Sequence, residues 1–143
     1  MKPSLPVLRY PEPRSLDQAG LRVHHDQASA ALWVSEGLLA GNAYRELATG
    51  DASQGTVGFR QIRAVKPFAA PTGLHWHDMD LHVVYVLKGH IDYRFAGEEQ
   101  TYRVVAGDCI TQPPGVPHEV IGHSDDMELL EITSPQRYAT VDL

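Results

Sequence analysis

The sequence predicts an all-β fold, a sandwich or barrel of short antiparallel strands. Two observations carry that expectation. The second half of the chain breaks into short runs rich in Val, Ile, Tyr and Phe, residue types that suit a pleated, half-buried surface. Between the runs stand clusters of Gly, Pro, Asp and Ser at near-regular spacing, the composition of tight turns. A chain of 143 residues fits one domain, and a domain near this size buries roughly 68–70% of its unfolded surface, enough for a real core.

The elements follow in order. Residues 1–25 carry Pro3, Pro6, Pro11 and Pro13 and read as an extended N-terminal arm with one short helical turn. Such an arm is either loosely ordered or laid along the body or a partner subunit, and residues 26–143 read as a single domain. Ala30–Val34 is apolar and reads as a strand, although its alanines also permit a helix. Tyr44–Ala48 and Thr56–Val65 flank a turn-like stretch from Thr49 to Gly55, which suggests a long hairpin. Val83–Leu87 is β-branched and aromatic and stops at Lys88-Gly89. His90–Phe95 alternates, with Ile91, Tyr93 and Phe95 on one face. Thr101–Val105 and Cys109–Gln112 continue the series. Pro113-Pro114-Gly115 breaks it, Val116–Ile121 resumes it, and Glu128–Thr133 follows the turn at Ser124-Asp125-Asp126.

Composition removes several classes of function. Twelve basic against 18 acidic residues give a net charge of −6, and no basic stripe offsets it. That argues against nucleic acid, whose binding leans on Lys and Arg neutralising phosphates. The beginning, Met1-Lys2-Pro3-Ser4-Leu5-Pro6, lacks the apolar stretch of a signal peptide. No run of about 18 apolar residues is present, so no membrane span is expected. The single cysteine, Cys109, permits no intrachain disulfide. It suits a reducing cytoplasm and reads as a small buried hydrophobe.

Histidines carry the functional signal. His75, His77 and His82 fall between Gly73 and Gly89, and His118 falls between Gly107 and Gly122. Neutral imidazole is the commonest transition-metal ligand. A His-x-His pair on a strand puts both rings on one face. Trp76, between them, points to the other face, and Glu119 likewise alternates away from His118. His90 and His123 flank turns and read as solvent-exposed, and His24-His25 reads as a surface pair.

The spacing is specific. Gly73-Leu74-His75-Trp76-His77 is followed after four residues by His82 and after six more by Gly89. Gly107 is followed after five residues by Pro113, then by Gly115 and His118. Over roughly residues 56–133 the chain resembles the cupin superfamily, whose two motifs have this form. The resemblance implies a double-stranded β-helix, or jelly-roll cupin barrel, with a metal inside. His75 and His77 match the paired histidines, and His118 matches the histidine of the second motif. Two positions depart from the pattern. Gly122 replaces an asparagine, and His82 stands where a glutamate is usual. His82 is therefore either a fourth nitrogen ligand or a residue beside a three-histidine site. Pro113, Pro114, Gly115 and Pro117 read as a rigid turn that aims His118.

These readings set the functional expectation. The expected cofactor is one divalent transition metal ion, with iron favoured and zinc, nickel, copper or manganese open. Histidine ligands leave the ion its full charge, which suits an anionic or enolate-type substrate. Tyr93 and one parity of Thr56–Val65 are candidates for the barrel interior. That parity is either Phe59, Gln61 and Arg63 or Gly58, Arg60 and Ile62, and Tyr93 and Arg63 are the candidate substrate contacts. The favoured activity is that of a non-haem iron dioxygenase-like oxidoreductase on a small organic molecule. The alternatives are a Lewis-acid isomerase, cyclase or lyase, and a non-catalytic small-ligand-binding module. Small cupins resemble one another in pairing through an open sheet face and an exchanged arm, which implies a homodimer. No residue stands out as catalytic acid or base.

Overall fold

A computed structural model describes residues 13–35 and 41–143. The expected helical turn of the arm is α1, Leu16–Ala19. Ser15 caps it, accepting from the Gln18 amide, while the Gln18 side chain accepts from the Ser15 amide. Residues 1–12 of the arm lie outside the described residues.

Among the described residues ten strands follow: β1 (Asn42–Glu46), β2 (Gly58–Ala64), β3 (His75–His77), β4 (Leu81–Lys88), β5 (His90–Phe95), β6 (Thr101–Val105), β7 (Cys109–Gln112), β8 (His118–His123), β9 (Glu128–Ser134) and β10 (Thr140–Asp142). They form two five-stranded sheets, in the orders β1-β2-β9-β4-β7 and β10-β3-β8-β5-β6. Every pairing is antiparallel. The result is a jelly-roll β-barrel, as the strand rhythm and the motif resemblance predict.

Alternation explains the interior. On β4, His82, Val84 and Val86 are buried; on β5, Ile91, Tyr93 and Phe95 are. With Tyr44, Ile62, Val104, Val120, Met127 and Leu129, the apolar members of these two strands form one cluster between the sheets. Gly89 makes the β4–β5 turn at φ +67°, and a Cβ there would meet Ser124 Oγ at 2.0 Å. The motif glycine is thus required by both backbone conformation and space.

Several expectations need correction. Ala30–Val34 is not a strand: Ala28–Ala30 is a single 3-10 turn, and Val34 makes only an isolated bridge to Tyr44. The expected long hairpin does form as β1–β2, but its connection holds a helical turn, α2 (Thr49–Ala52). β8 begins at His118 rather than Val116. Cys109 is exposed because its strand parity faces outward. His123 is buried, with its ring edge-on to Phe68 at 5.2 Å. No helix among the described residues is long and apolar enough to cross a membrane.

Candidate metal centre

Register brings the two histidine motifs together. β3 pairs with β8 so that His75 stands directly opposite His118. His77, two residues along, shares the face of His75. Ring centroids lie 4.9 Å apart for His75 and His77, 4.7 Å for His75 and His118, and 5.1 Å for His77 and His118. One ring nitrogen from each falls within 4.8 Å of the others, and all three residues are buried.

Hydrogen bonds settle which nitrogen is available. His75 Nδ1 lies 2.9 Å from the Gly73 carbonyl, and His118 Nδ1 lies 3.0 Å from the Val116 carbonyl. A carbonyl only accepts, so each Nδ1 carries the proton. His77 Nδ1 lies 2.8 Å from Thr140 Oγ1, across the β3–β10 pairing. That leaves Nε2 as the lone-pair donor on His75 and His118, and on His77 as well when its Nδ1 donates to the Thr140 hydroxyl. Such outer contacts fix the tautomer and orientation of a metal-binding imidazole. Burial, reinforced by the neighbouring histidines, pushes His77 down to about 3. Burial likewise pushes His118 down to about 4, against the opposing Val116 contact. Near neutral pH both are uncharged, the form a metal binds.

His82 occupies a different position. It sits on β4, in the opposite sheet, and does not join the group of three nitrogens. Its ring centroid lies 5.6 Å from that of His77 and 5.9 Å from that of His118. Its Nε2 lies 2.9 Å from Glu131 Oε2 on β9. The other carboxylate oxygen, Oε1, accepts from Arg60 Nε at 2.8 Å, with the Arg60 terminal nitrogen at 2.7 Å. Arg60 and Glu131 face one another across β2 and β9. Burial alone would raise the Glu131 carboxyl, but the His82 hydrogen bond and the Arg60 charge outweigh it. They hold Glu131 well below the usual carboxylate range. The Arg60 guanidinium also stacks over the Tyr44 ring at 4.9 Å and donates to Tyr138 Oη at 3.3 Å. Burial, with the nearby Glu131 charge, pushes the Tyr138 phenol up to about 12.

These groups line a cavity of about 210 Å³ between the two sheets. The triad and Thr140 come from one sheet, and Arg60, His82 and Glu131 from the other. Ile62, Ile91, Val120, Met127 and Leu129 supply apolar wall. Tyr93 lines the cavity, and burial raises its phenol. Arg63 does not line it: β2 turns its other parity inward, so Arg60 takes that place. Arg63 is exposed, with its guanidinium 3.9 Å above the Trp33 ring. Glu119 is buried and pairs with Arg94, Nε to Oε1 at 2.7 Å, away from the cavity.

Sequence reasoning missed Glu131, Tyr138 and Thr140, which lie at the edge of or beyond both motifs. Only Glu131 left a signal: it shares strand parity with Leu129 and Thr133, which makes it a charged residue on an inward face.

Comparison with known proteins agrees with the fold. The sequence profile of the cupin domain matches residues 62–133. No curated protein sequence matches the chain. Among solved structures, the polyketide cyclase RemF from Streptomyces resistomycificus superposes with a TM-score of 0.69 at 18% identity. That match covers 85% of this chain and 86% of the cyclase. KdgF from Halomonas sp. gives 0.60 at 18% identity, covering 78% of this chain and 94% of that one. The S161A mutant of Bacillus subtilis oxalate decarboxylase OxdC gives 0.60 at 21% identity, covering 92% and 37%. At these identities the likeness is one of fold.

Proposed function

The chain belongs to the cupin domain family, and from that premise we propose a metal-dependent enzyme that moves protons on a small oxygen-bearing organic molecule. His75, His77 and His118 would hold the ion through Nε2. The donor set fits: three buried imidazoles, each with Nδ1 engaged, converge without a carboxylate. Such sets suit iron, zinc, nickel, copper or manganese. A divalent ion held there supplies Lewis acidity that no ligand charge diminishes.

The observation that carries the proposal is the placement of the His82–Glu131 pair. It faces the triad from the opposite sheet, across one cavity. Glu131, anchored on Oε1 by Arg60, orients the His82 ring through Oε2. The arrangement suits His82 as acid and base for substrate protons, with Glu131 as its positioning residue. Proton movement beside a Lewis acid is the chemistry of an isomerase, cyclase or lyase. The cyclase among the similar folds is in keeping with it. The test is anaerobic deuterium exchange at the α-carbons of cyclohexanone in D2O by metal-loaded protein, followed by NMR. Exchange that depends on both metal and His82 supports the reading; exchange at the buffer rate refutes it.

A second reading is the non-haem iron dioxygenase-like oxidoreductase. What favours it is the donor set itself, three nitrogens and no carboxylate. Oxygen uptake by iron-loaded protein with a phenolic or enolisable compound would support it over the first.

The reading extends to a homodimer in a reducing compartment. Leu81, Tyr85 and Leu87 on the outer parity of β4 are 38–43% exposed, and Cys109 is an exposed free thiol on the strand beside them.

A further inference from the structure

A second cavity of about 220 Å³ adjoins the first. It is polar, with Glu46, Thr133, Gln136 and Arg137 in its walls. Arg60 and Tyr138 line both. These two residues, joined by the 3.3 Å hydrogen bond, therefore stand as the partition between an inner site and an outer cleft. The Tyr138 ring also packs edge-on against His77, with centroids 5.1 Å apart.

The partition is fixed in place. Tyr138 lies on the β9–β10 connection, which is seated through Gln136. The Gln136 amide donates to the Gly55 carbonyl at 3.0 Å, and Ser134 Oγ donates to the Thr56 carbonyl at 2.7 Å. Gly58 has no side chain where Gln136 Cα crosses: a Cβ there would lie 3.1 Å from it and 2.6 Å from Thr133 Oγ1. A Cβ on Gly50 would meet the side-chain Nε2 of Gln136 at 2.0 Å. Gly58 thus leaves room for the connection's backbone, and Gly50 for the Gln136 side chain.

Size then limits the substrate. A cavity of about 150 Å³ holds benzene, or about 25 Å³ for each heavy atom. By that measure the inner site, at about 210 Å³, takes about eight heavy atoms. Arg60 offers no unspent charge to a carboxylate, because Glu131 already engages it.

We infer that Tyr138, set in place by the seated β9–β10 connection, is the specificity-determining residue that restricts this site to single-ring, oxygen-donor molecules of the phenol or enol class. The inference rests on the metal-site reading above. Removing the Tyr138 ring joins the cavities into a space of roughly twice the volume and admits a second ring.

Calorimetry on zinc-loaded protein tests this with two probes that present the same oxygen pair, catechol and 2,3-dihydroxynaphthalene. Zinc content is measured before and after each titration. Wild type is expected to bind catechol at least tenfold more tightly than the two-ring probe. Tyr138→Ala and the milder Tyr138→Leu should each erase or invert that ratio with zinc retained. Tyr138→Phe, which keeps the ring and loses the hydroxyl, should preserve the exclusion. Equal binding of both probes by wild type, or an unchanged ratio in both ring-removing variants, overturns the inference while leaving the metal site standing. Wild type that holds no zinc overturns the metal-site reading and this inference with it.

Discussion

His82 Nε2 lies 2.9 Å from Glu131 Oε2, and the two residues sit on adjacent strands of the sheet that faces the histidine triad. That bond engages His82 Nε2 with a carboxylate, while the nitrogens of His75, His77 and His118 group without His82. The histidine at the motif's glutamate position thus stands across the cavity from the triad, where the proposed function has it work on substrate protons.

The first prediction separates the two roles. His118→Ala removes one of three ligands and should abolish stoichiometric metal binding. His82→Ala should retain the metal, with affinity reduced no more than about 10–100-fold, the range of a neighbour that orients rather than ligates. Its turnover should fall by about 100-fold or more, the scale of a lost acid–base group. Metal analysis of both variants after desalting decides. Loss of most metal from His82→Ala would make it a fourth ligand.

Removing the partner tests the positioning role. Glu131→Gln keeps the shape but leaves the Arg60 guanidinium without its counter-charge. Breaking a buried pair costs about 3–5 kcal/mol, and solvent reaches both side chains here, so about 2 kcal/mol is expected. For a domain of this size that lowers the melting temperature by roughly 5–8 °C. The same variant should lower kcat more than it raises KM, since the carboxylate acts through His82. A purely structural role would leave the kinetic split untouched.

Thr140 accounts for the orientation of the His77 ring. Its hydroxyl is the only side-chain oxygen among the contacts that engage the three Nδ1 atoms; the other two are carbonyls. Thr140→Val should therefore weaken metal affinity by about 10–100-fold. A competition titration against a chromophoric chelator measures it. Thr140→Ser, which restores the hydroxyl, should recover most of the loss.

Metal-free protein should lose stability in acid. His77 and His118 have folded values near 3 and 4, below the ordinary histidine value of 6.5. Between those limits the unfolded chain binds more protons than the folded one, so stability rises with pH across the window. It is fully present above about 6.5 and drains as pH falls toward 4. Glu131, also held low, adds a loss of the same sign below its ordinary value of 4.5. Urea midpoints at pH 7.5, 6 and 5 should fall in that order. A midpoint that rises on acidification would contradict the buried, uncharged triad.

How much of this was legible in the sequence depends on which side chains lie inside a motif. His75, His77 and His118 could be read because fixed spacing and strand alternation place them together. Arg60 could not, because a strand offers two parities and only packing against the second sheet selects one. Arg63 pairs with Trp33 outside, a contact made by a segment far from it in sequence. Glu131 gains meaning only from its neighbours on β2 and β4, which no local pattern reports. Tyr138 lies on a connection whose path depends on absent side chains at Gly50 and Gly58.

Oligomeric state supplies the last prediction. The outer face of the β1-β2-β9-β4-β7 sheet carries Tyr85 opposite Leu130 and Val83 opposite Ile132, with Phe59 on the far side of Ile132. Leu81, Tyr85 and Leu87 extend this stripe and are substantially exposed. Contiguous exposed apolar surface of this kind marks an interface, and a charge in it opposes sheet-face association. Tyr85→Lys should therefore weaken self-association at least tenfold, and so should deletion of residues 1–25 if the arm reaches the neighbouring copy. Sedimentation velocity across low micromolar concentrations measures both. Metal content should be unchanged in each, because the triad faces the opposite side of the barrel wall. Truncated and substituted proteins that associate as wild type does would remove this face from consideration.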